Sequence, residues 1–549
     1  NAYKNLLKPK KEKKEKPAPI PAGEKKEKKP KKEKAVEIIY TDNTPPGEKK
    51  DIAAAFPATY QPKYVESAWQ SWWEKSGYYS PDMEEARKRA KEGDDNKFVM
   101  VIPPPNVTGS LHLGHALTDS IEDTLTRYNR MMGKITLWVP GTDHAGIATQ
   151  SVVEKRLKKD ENLTRHDLGR DEFVKRVWDW KETYGGKITN QIRHLGASVD
   201  WSRESFTMDD NLSKAVNEAF CRLHEDGLIY RSTRLINWSC ALQSAISEIE
   251  VDYIDLDGKT FLAVPNHKLK DKYEFGMITS FAYKVIGSET GEEVVVATTR
   301  LETMLGDTGV AVHPDDERYK HLHGQFLQHP FNDRKIPIIT DSVLVDMNFG
   351  TGAVKITPAH DPNDYQCGKR NNLEFIIMMS LDGRINTTAG GQFAGMMRYD
   401  ARIEIEKALD AMGLYRGKEV NKMRLGLCSR SSDIIEPMLT PQWYVNCNSM
   451  AKKSTDAVRN GELTILPEFH EATWYRWLDN IRDWCVSRQL WWGHRIPAYF
   501  ARIRTSNEPA DIETAKNIDR NDSANNEYWF VARTMEQALD NASKKFNVD

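Results

Sequence analysis

Two histidines flank a glycine in the run Pro103-Pro104-Pro105-Asn106-Val107-Thr108-Gly109-Ser110-Leu111-His112-Leu113-Gly114-His115. The apolar periodicity just after them starts a helix, and the free backbone N–H groups and dipole of a helix start attract phosphate. His112 and His115 fall on one face of its first turn and can donate to phosphate oxygens, while Gly114 removes a side chain where a nucleotide base or ribose must approach. Two neighbouring histidines also suggest a metal, but no acidic or Cys ligand sits at suitable spacing. Asp143, in Gly141-Thr142-Asp143-His144-Ala145-Gly146, stands ahead of Ala145 where a helix N-cap would sit. A third constellation, His360-Asp361-Pro362-Asn363-Asp364, by itself reads as an Asp-rich loop after a glycine turn or as a metal site.

Together these residues identify a family resemblance. His112-Leu113-Gly114-His115 resembles the "HIGH" signature of class I aminoacyl-tRNA synthetases, and the fuller string from Pro103 to Asn129 with Gly141–Gly146 resembles the valine-specific members. Trp484-Cys485-Val486-Ser487-Arg488-Gln489-Leu490-Trp491-Trp492-Gly493-His494 is similar to a second family landmark. The resemblance covers roughly residues 55–549. It implies a reaction in which the carboxylate of valine attacks the α-phosphorus of ATP with Mg²⁺ assisting, followed by transfer to tRNA(Val). The protein's share is positioning and charge stabilisation. By resemblance, His112 and His115 serve the ATP phosphates, Asp143 holds the α-ammonium group, Pro104 and Asn106 line the aminoacyl pocket, and Trp492 walls the valine side chain. Read alone, a Trp pair is more often core.

An apolar pocket separates valine poorly from threonine, its hydroxyl isostere. The resemblance implies a second, hydrolytic sieve. Ala297-Thr298-Thr299-Arg300-Leu301-Glu302-Thr303 resembles one strip of an editing domain, and Phe349 to Tyr365 resembles the other. On that reading Asp361 takes the substrate ammonium and Asp364 the threonine hydroxyl. Arg300 and Lys355 contact RNA backbone or the terminal adenosine, Thr298, Thr299 and Thr357 orient water or ribose, and Phe349 stacks on adenine.

The elements that must carry these groups are legible as periodicity. Phe98–Ile102 suits a buried parallel strand. Leu117, Ile121, Leu125, Tyr128 and Met132 predict a helix over about 113–132 stopped by Gly133, and Ile135–Val139 a second strand. This β–loop–α–β order is half of a doubly wound sheet, where ligands sit outside the strand carboxyl ends. Short β runs at 294–297, 336–339 and 343–345 predict an inserted β-rich domain. The expected fold class is α/β: a Rossmann-type parallel-sheet catalytic domain, split and with its second half incomplete, carrying that insert. The expected segments are a tail at 1–50, a helical segment at 51–96, the first catalytic half at 97–225, a connection at 226–275, the editing domain at 276–425 and a return to the catalytic domain at 426–549. Tyr64, Ala68 and Trp72, with Trp69 and Trp73 beside them, predict an anchoring helix whose aromatics are core.

The 549 residues suit several domains, and 39% hydrophobic with 29% charged residues suits a globular chain with no apolar run long enough for a membrane span. The net charge of −2 hides an asymmetry. Residues 4–34 hold 14 Lys against 5 Glu, so the rest carries an excess of eleven acidic groups. Residues 1–50 read as disordered, either a polyanion-binding arm for tRNA or accessory proteins, or a plain solubilising linker. Six scattered cysteines fit reduced thiols and a cytoplasmic location. Zinc is not expected: Cys240 meets Gln243 and Cys428 meets Ser431, so each Cys-x-x-Cys pair has lost a ligand; the alternative is that Cys240 and Cys428 pair on one site with other ligands. The family's Lys-Met-Ser-Lys-Ser loop is absent. Ser449-Met450-Ala451-Lys452-Lys453-Ser454 precedes the Trp484–His494 landmark where the loop should follow it, so this chain is expected not to activate valine at a normal rate. The rival readings are an isoleucine-type synthetase and a tRNA-binding module without catalysis.

Overall fold

The computed structural model describes residues 41–53, 57, 59–93, 96–267, 272–502, 519–520 and 523–547. Most of the Lys-rich tail, 1–40, lies outside them. Residues 1–77 and 78–549 form two separate units. In the first, the expected anchoring helix is broken: Pro62–Val65 and Trp69–Lys75 are separate helices, because Ala68 takes a left-handed φ of 69°. Trp69, Trp72 and Trp73 are only half-buried and pack on one another, with Trp69 and Trp73 stacked at 6.0 Å.

The second unit is mixed α/β. Strand β1 (Lys97–Val101) pairs in parallel with β2 (Ile135–Val139), and helix α1 (Leu113–Met131) connects them. Gly133, at φ 76°, ends the turn after α1 at no steric cost. The expected burial of this strand is corrected: Val99 and Val101 are exposed, as are Leu117, Ile121 and Leu125 along α1. The strand is half-covered, because only β2 pairs with it and nothing described packs on that face. Helices α2 (Gly146–Asp160) and α3 (Arg170–His194) bury Val153, Leu157, Phe173, Val177 and Ile188 with Trp138 and Trp492 in one core.

Strand β3 (Ile229–Ser239) leaves this region and its antiparallel partner returns to it. Between them lies a seven-stranded sheet built from β4 (Met277–Val285), β5 (Glu293–Thr298), β6 (Gly309–Val312), β7 (Phe326–Gln328), β8 (Lys335–Thr340), β9 (Ala353–Ile356) and β10 (Tyr415–Val420). Its order is β5-β4-β7-β8-β6-β9, with β10 also on β4. Only β6 and β8 run parallel. Alternating β-branched and aromatic residues bury Phe281, Tyr283, Val294, Val296, Val310 and Ile336 in the largest core. Val343-Leu344-Val345, expected as a strand, begins as a turn: the Asp341 carboxylate accepts from the N–H groups of Val343 and Leu344, and Val343 is exposed. Helices α4 (Pro362–Arg370) and α5 (Arg398–Ala411) complete this region. The return strand β11 (Glu436–Val445) pairs with β3 over ten residues, from Glu436↔Trp238 to Val445↔Ile229. Ser449–Ser454 sits inside the helix Asn448–Arg459.

Candidate functional sites

At the carboxyl ends of β1 and β2 the two following loops run side by side. Val107 N–H donates to Asp143 O at 3.0 Å, and Asp143 N–H to Pro105 O at 2.9 Å. Pro104 and Asn106 are exposed on this edge, and Asn106 bridges to Asp143.

His112 is the N-cap of α1. Its Nδ1 accepts from Gly114 N–H at 3.1 Å, and His115 Nδ1 accepts from His112 N–H at 3.3 Å, a reciprocal capping box. These bonds fix the tautomers: with Nδ1 accepting on each ring, Nε2–H is left as the donor on both. Burial, then His112, holds His115 below the usual imidazole range, so it is neutral at pH 7. The rings lie 4.0 Å apart, with His112 exposed. A Cβ at Gly114 would meet the His112 ring at 2.9 Å, so the glycine makes room for the capping histidine.

Asp143 is half-buried. Burial alone would raise its carboxyl, but bonds from His144, the Ala145 N–H and Thr207 outweigh it and hold the group below the ordinary range. Its Oδ1 accepts from Ala145 N–H at 3.1 Å and from Thr207 Oγ1 at 3.1 Å. Asp143 is not the cap residue of α2, which is Ala145 at φ 46°. The buried Trp492 donates from Nε1 to His144 O at 2.8 Å, and its ring meets Trp178 edge-on at 5.1 Å. Trp178, Trp491, Trp492 and Met208 border a cavity of about 450 Å³. Two tethers, Thr207 and Gln150 (whose Oε1 accepts from the N–H groups of Trp491 and Trp492), carry no motif and escaped the sequence reading.

The second constellation gathers where β5 and β9 end. Thr298 and Thr299 are half-buried, and Thr298 Oγ1 accepts from Arg300 N–H at 3.0 Å. Asp361 caps α4, accepting from the N–H groups of Asn363 and Asp364 at 2.8 and 3.1 Å. Asp364 is buried and its Oδ2 accepts from Thr357 N–H at 2.8 Å. Burial, then the neighbouring Asp361, pushes the Asp364 carboxyl up to about 7. Phe349 stands 70% exposed in the loop between β8 and β9.

Three expected roles are corrected here. Lys355 is buried and cannot reach an RNA backbone. Its Nζ donates to Asp307 Oδ1 at 2.9 Å, Thr303 Oγ1 at 2.8 Å and Thr357 Oγ1 at 2.6 Å, and Thr357 in turn donates to Asp307 at 2.5 Å. Thr357 is therefore inside this network and is 1% exposed, so it does not orient water or ribose. Arg300 is committed to protein: its guanidinium bonds Glu436 and donates to His360 O at 2.7 Å, with Glu302 at 3.6 Å. Glu436 also accepts from Arg398 at 3.0 Å and lies 3.2 Å from His360 Nδ1. Sequence reasoning missed Asp307 and Glu436 and singled out His360 only as part of its loop; Asp307 lies just beyond a recognised strip, but Glu436 has no local signal.

The raised Asp364 has a stability consequence. The folded protein keeps a proton that the unfolded chain releases near pH 4, so this group favours folding most at low pH and progressively less as pH rises to about 7. Asp364→Asn should flatten that slope. We expect a higher melting temperature than the parent at pH 8, reflecting a gain of up to about 4 kcal/mol, and little difference at pH 4. Equal shifts at both pH values would contradict it.

The family description "tRNA synthetases class I (I, L, M and V)" matches residues 68–548. The chain belongs to this family. Among the relatives of this class I synthetase chain, "Valine--tRNA ligase" of Caenorhabditis elegans is 57% identical over 507 residues, covering 92% of this chain and 46% of that protein. "Valine--tRNA ligase, mitochondrial 1" of Arabidopsis thaliana is 54% identical, covering 93% and 44%, and "Valine--tRNA ligase" of Homo sapiens is 54% identical, covering 93% and 39%. The synthetase chain thus spans less than half the length of these curated relatives. The match to a solved LeuRS–tRNA complex from Agrobacterium radiobacter covers 70% of this chain and 50% of that chain at 18% identity and a TM-score of 0.29.

Class I synthetases use ATP, and the Nε2–H donors at the start of α1 suit its phosphates. Among the described residues no group of three His, Cys, Asp or Glu side chains is placed to hold a metal. Mg²⁺ accompanying ATP would be held by the nucleotide phosphates. Cys240 and Cys428 are both buried; burial pushes the Cys240 thiol up to about 12, and Arg398 contacts its Sγ at 3.3 Å. No described helix is long and apolar enough to cross a membrane.

Proposed function

We propose that the chain is part of a valine–tRNA ligase that activates valine with ATP and transfers it to tRNA(Val), and that its β-rich segment hydrolyses threonyl-tRNA(Val). The observation that carries the first half is Asp143. Its carboxylate stays ionised while half-exposed, on the loop whose next residue, His144, accepts from the Trp492 ring. An α-ammonium on Asp143 would leave a short branched side chain against that aromatic group. The amino-acid carboxylate then attacks the α-phosphorus, the P–O bond to the β-phosphate breaks, and pyrophosphate leaves with its charge met by Nε2–H of His112 and His115. The cysteines are all free thiols, which supports a reducing compartment, the cytoplasm on the sequence reading.

Asp361 and Asp364 support the second half. Two carboxylates beside a half-buried pair of threonines can hold an ammonium and a hydroxyl, and valine lacks the hydroxyl. In the full-length protein, ATP–pyrophosphate exchange should respond to valine and fall by about 10²-fold or more in His112→Ala and His115→Ala. Asp361→Ala should cut deacylation of threonyl-tRNA(Val) at least tenfold and leave exchange unchanged. Exchange driven by isoleucine in place of valine, or deacylation indifferent to Asp361, would overturn the corresponding half.

A further inference from the structure

Phe349 sits at the middle of an exposed turn, yet that turn is tied down on both sides by two consecutive residues from the turn region that follows β6. Arg318 donates from its guanidinium to Met347 O at 2.7 Å, and the adjacent Tyr319 donates from its hydroxyl to Thr351 O at 2.7 Å. The two carbonyls lie two residues before and two residues after Phe349. Arg318 is itself aimed by the buried Asp316, which it grips through Nε at 2.9 Å and a second nitrogen at 2.6 Å. Tyr319 packs its ring on the main β core, so the strap is anchored in rigid structure. Gly352 leaves room for it: a Cβ there would lie 2.2 Å from the Arg318 guanidinium and 2.8 Å from the Asp316 carboxylate.

An exposed phenylalanine is a poor investment of ordered backbone unless its face is used. Folding gains little from a ring left 70% open, yet two side chains and their rotamer freedom are spent holding its turn. We propose that Arg318 and Tyr319 are positioning residues that present the Phe349 ring as a preformed stacking platform for the unpaired terminal base of the mischarged RNA. The inference rests on the hydrolytic reading above and adds to it: the strap lowers the ordering cost at binding, so its effect falls on RNA affinity and not on the chemical step.

The test is a double-mutant cycle in the full-length protein, read as KM and kcat for deacylation of threonyl-tRNA(Val). Phe349→Ala should raise KM about fivefold or more with kcat unchanged, the loss expected for one base–aromatic stack. Arg318→Gln combined with Tyr319→Phe should raise KM about threefold or more, and should do almost nothing further in the Phe349→Ala background, because both changes remove the same contact. ATP–pyrophosphate exchange should be unaffected throughout. A strap variant with parental KM overturns the proposal while leaving the stacking reading intact. A strap variant whose effect persists at full size without Phe349 also overturns it, since the pair would then act elsewhere. If Phe349→Ala itself leaves KM unchanged, the stacking reading fails and takes the strap with it.

Discussion

Replacing Glu436 with glutamine should destabilise the folded protein by about 3–5 kcal/mol, the range for removing one partner from a buried ion pair. Glu436 is 1% exposed and is shared by Arg300, Arg398 and His360. The surrounding cluster is balanced: the guanidiniums of Arg300, Arg398 and Arg402 face the carboxylates of Glu302, Asp433 and Glu436. Glutamine keeps the volume and one acceptor but leaves three buried cations against two anions. Burial alone would raise the Glu436 carboxyl, but Arg300 and the other partners reverse this and hold it far below the ordinary range. Its contribution is therefore fully present above about pH 4.5 and lost as pH falls well below that. Thermal melting and denaturant midpoints at pH 7 read the loss directly. A shift within a degree or two would mean that the charge is dispensable. Because Glu436 also reaches His360, the neighbour of Asp361, the same variant should lower the proposed hydrolysis of threonyl-tRNA(Val).

Lys355→Met is expected to cost a similar amount, about 3–5 kcal/mol. Among the described residues the Lys355 ammonium has one ionic partner, Asp307, and both are buried. Methionine matches the stem but leaves Asp307 charged in an apolar setting with only hydroxyl donors, Thr357 and Tyr283. The Asp307 carboxyl is already above the usual range because burial outweighs its partners. Without Lys355 it should rise further, so the variant should regain stability on acidification. The double variant Lys355→Met with Asp307→Asn should recover much of the loss, since a neutral pair replaces an orphaned charge. A double variant as unstable as the single one would show that the ion pair is not the source.

These two residues also show where sequence reading runs out. A histidine pair ahead of an apolar 3.6-residue period announces a helix start, and the structure puts His112 at the cap. The signal is local, because capping is decided within four residues. Arg300 and Lys355 carry charges in strips that resemble an RNA-facing site, and charge in such a strip invites a phosphate partner. Their actual partners are Glu436, 136 residues away, and Asp307, 48 residues away. Pairing at that separation is set by strand order, which periodicity does not encode. The apolar run at Phe98–Ile102 misled for the opposite reason. Its composition matches a strand covered on both sides, but burial depends on neighbours that a run of residues does not name. The three-residue stretch at 343–345 failed to a single side chain, since Asp341 offers its oxygens to the very N–H groups a ladder would need.

The paired strands β3 and β11 have a consequence for how the chain can be assembled. Because Ser239 and Glu436 lie near the same end of β3 and β11, the two central strands of a four-stranded sheet, the long excursion between them begins and ends about one strand spacing apart, roughly 5 Å. To the parent domain it is equivalent to a hairpin turn. The entropy of closing a loop grows only as the logarithm of its length, so the host domain's closure cost is nearly blind to how much structure is housed at the tip. Once the guest has folded, its own compactness brings its two ends together and removes most of that cost as well. A strand pair of this kind lets the segment between its ends be enlarged or shortened without redrawing the sheet beneath it.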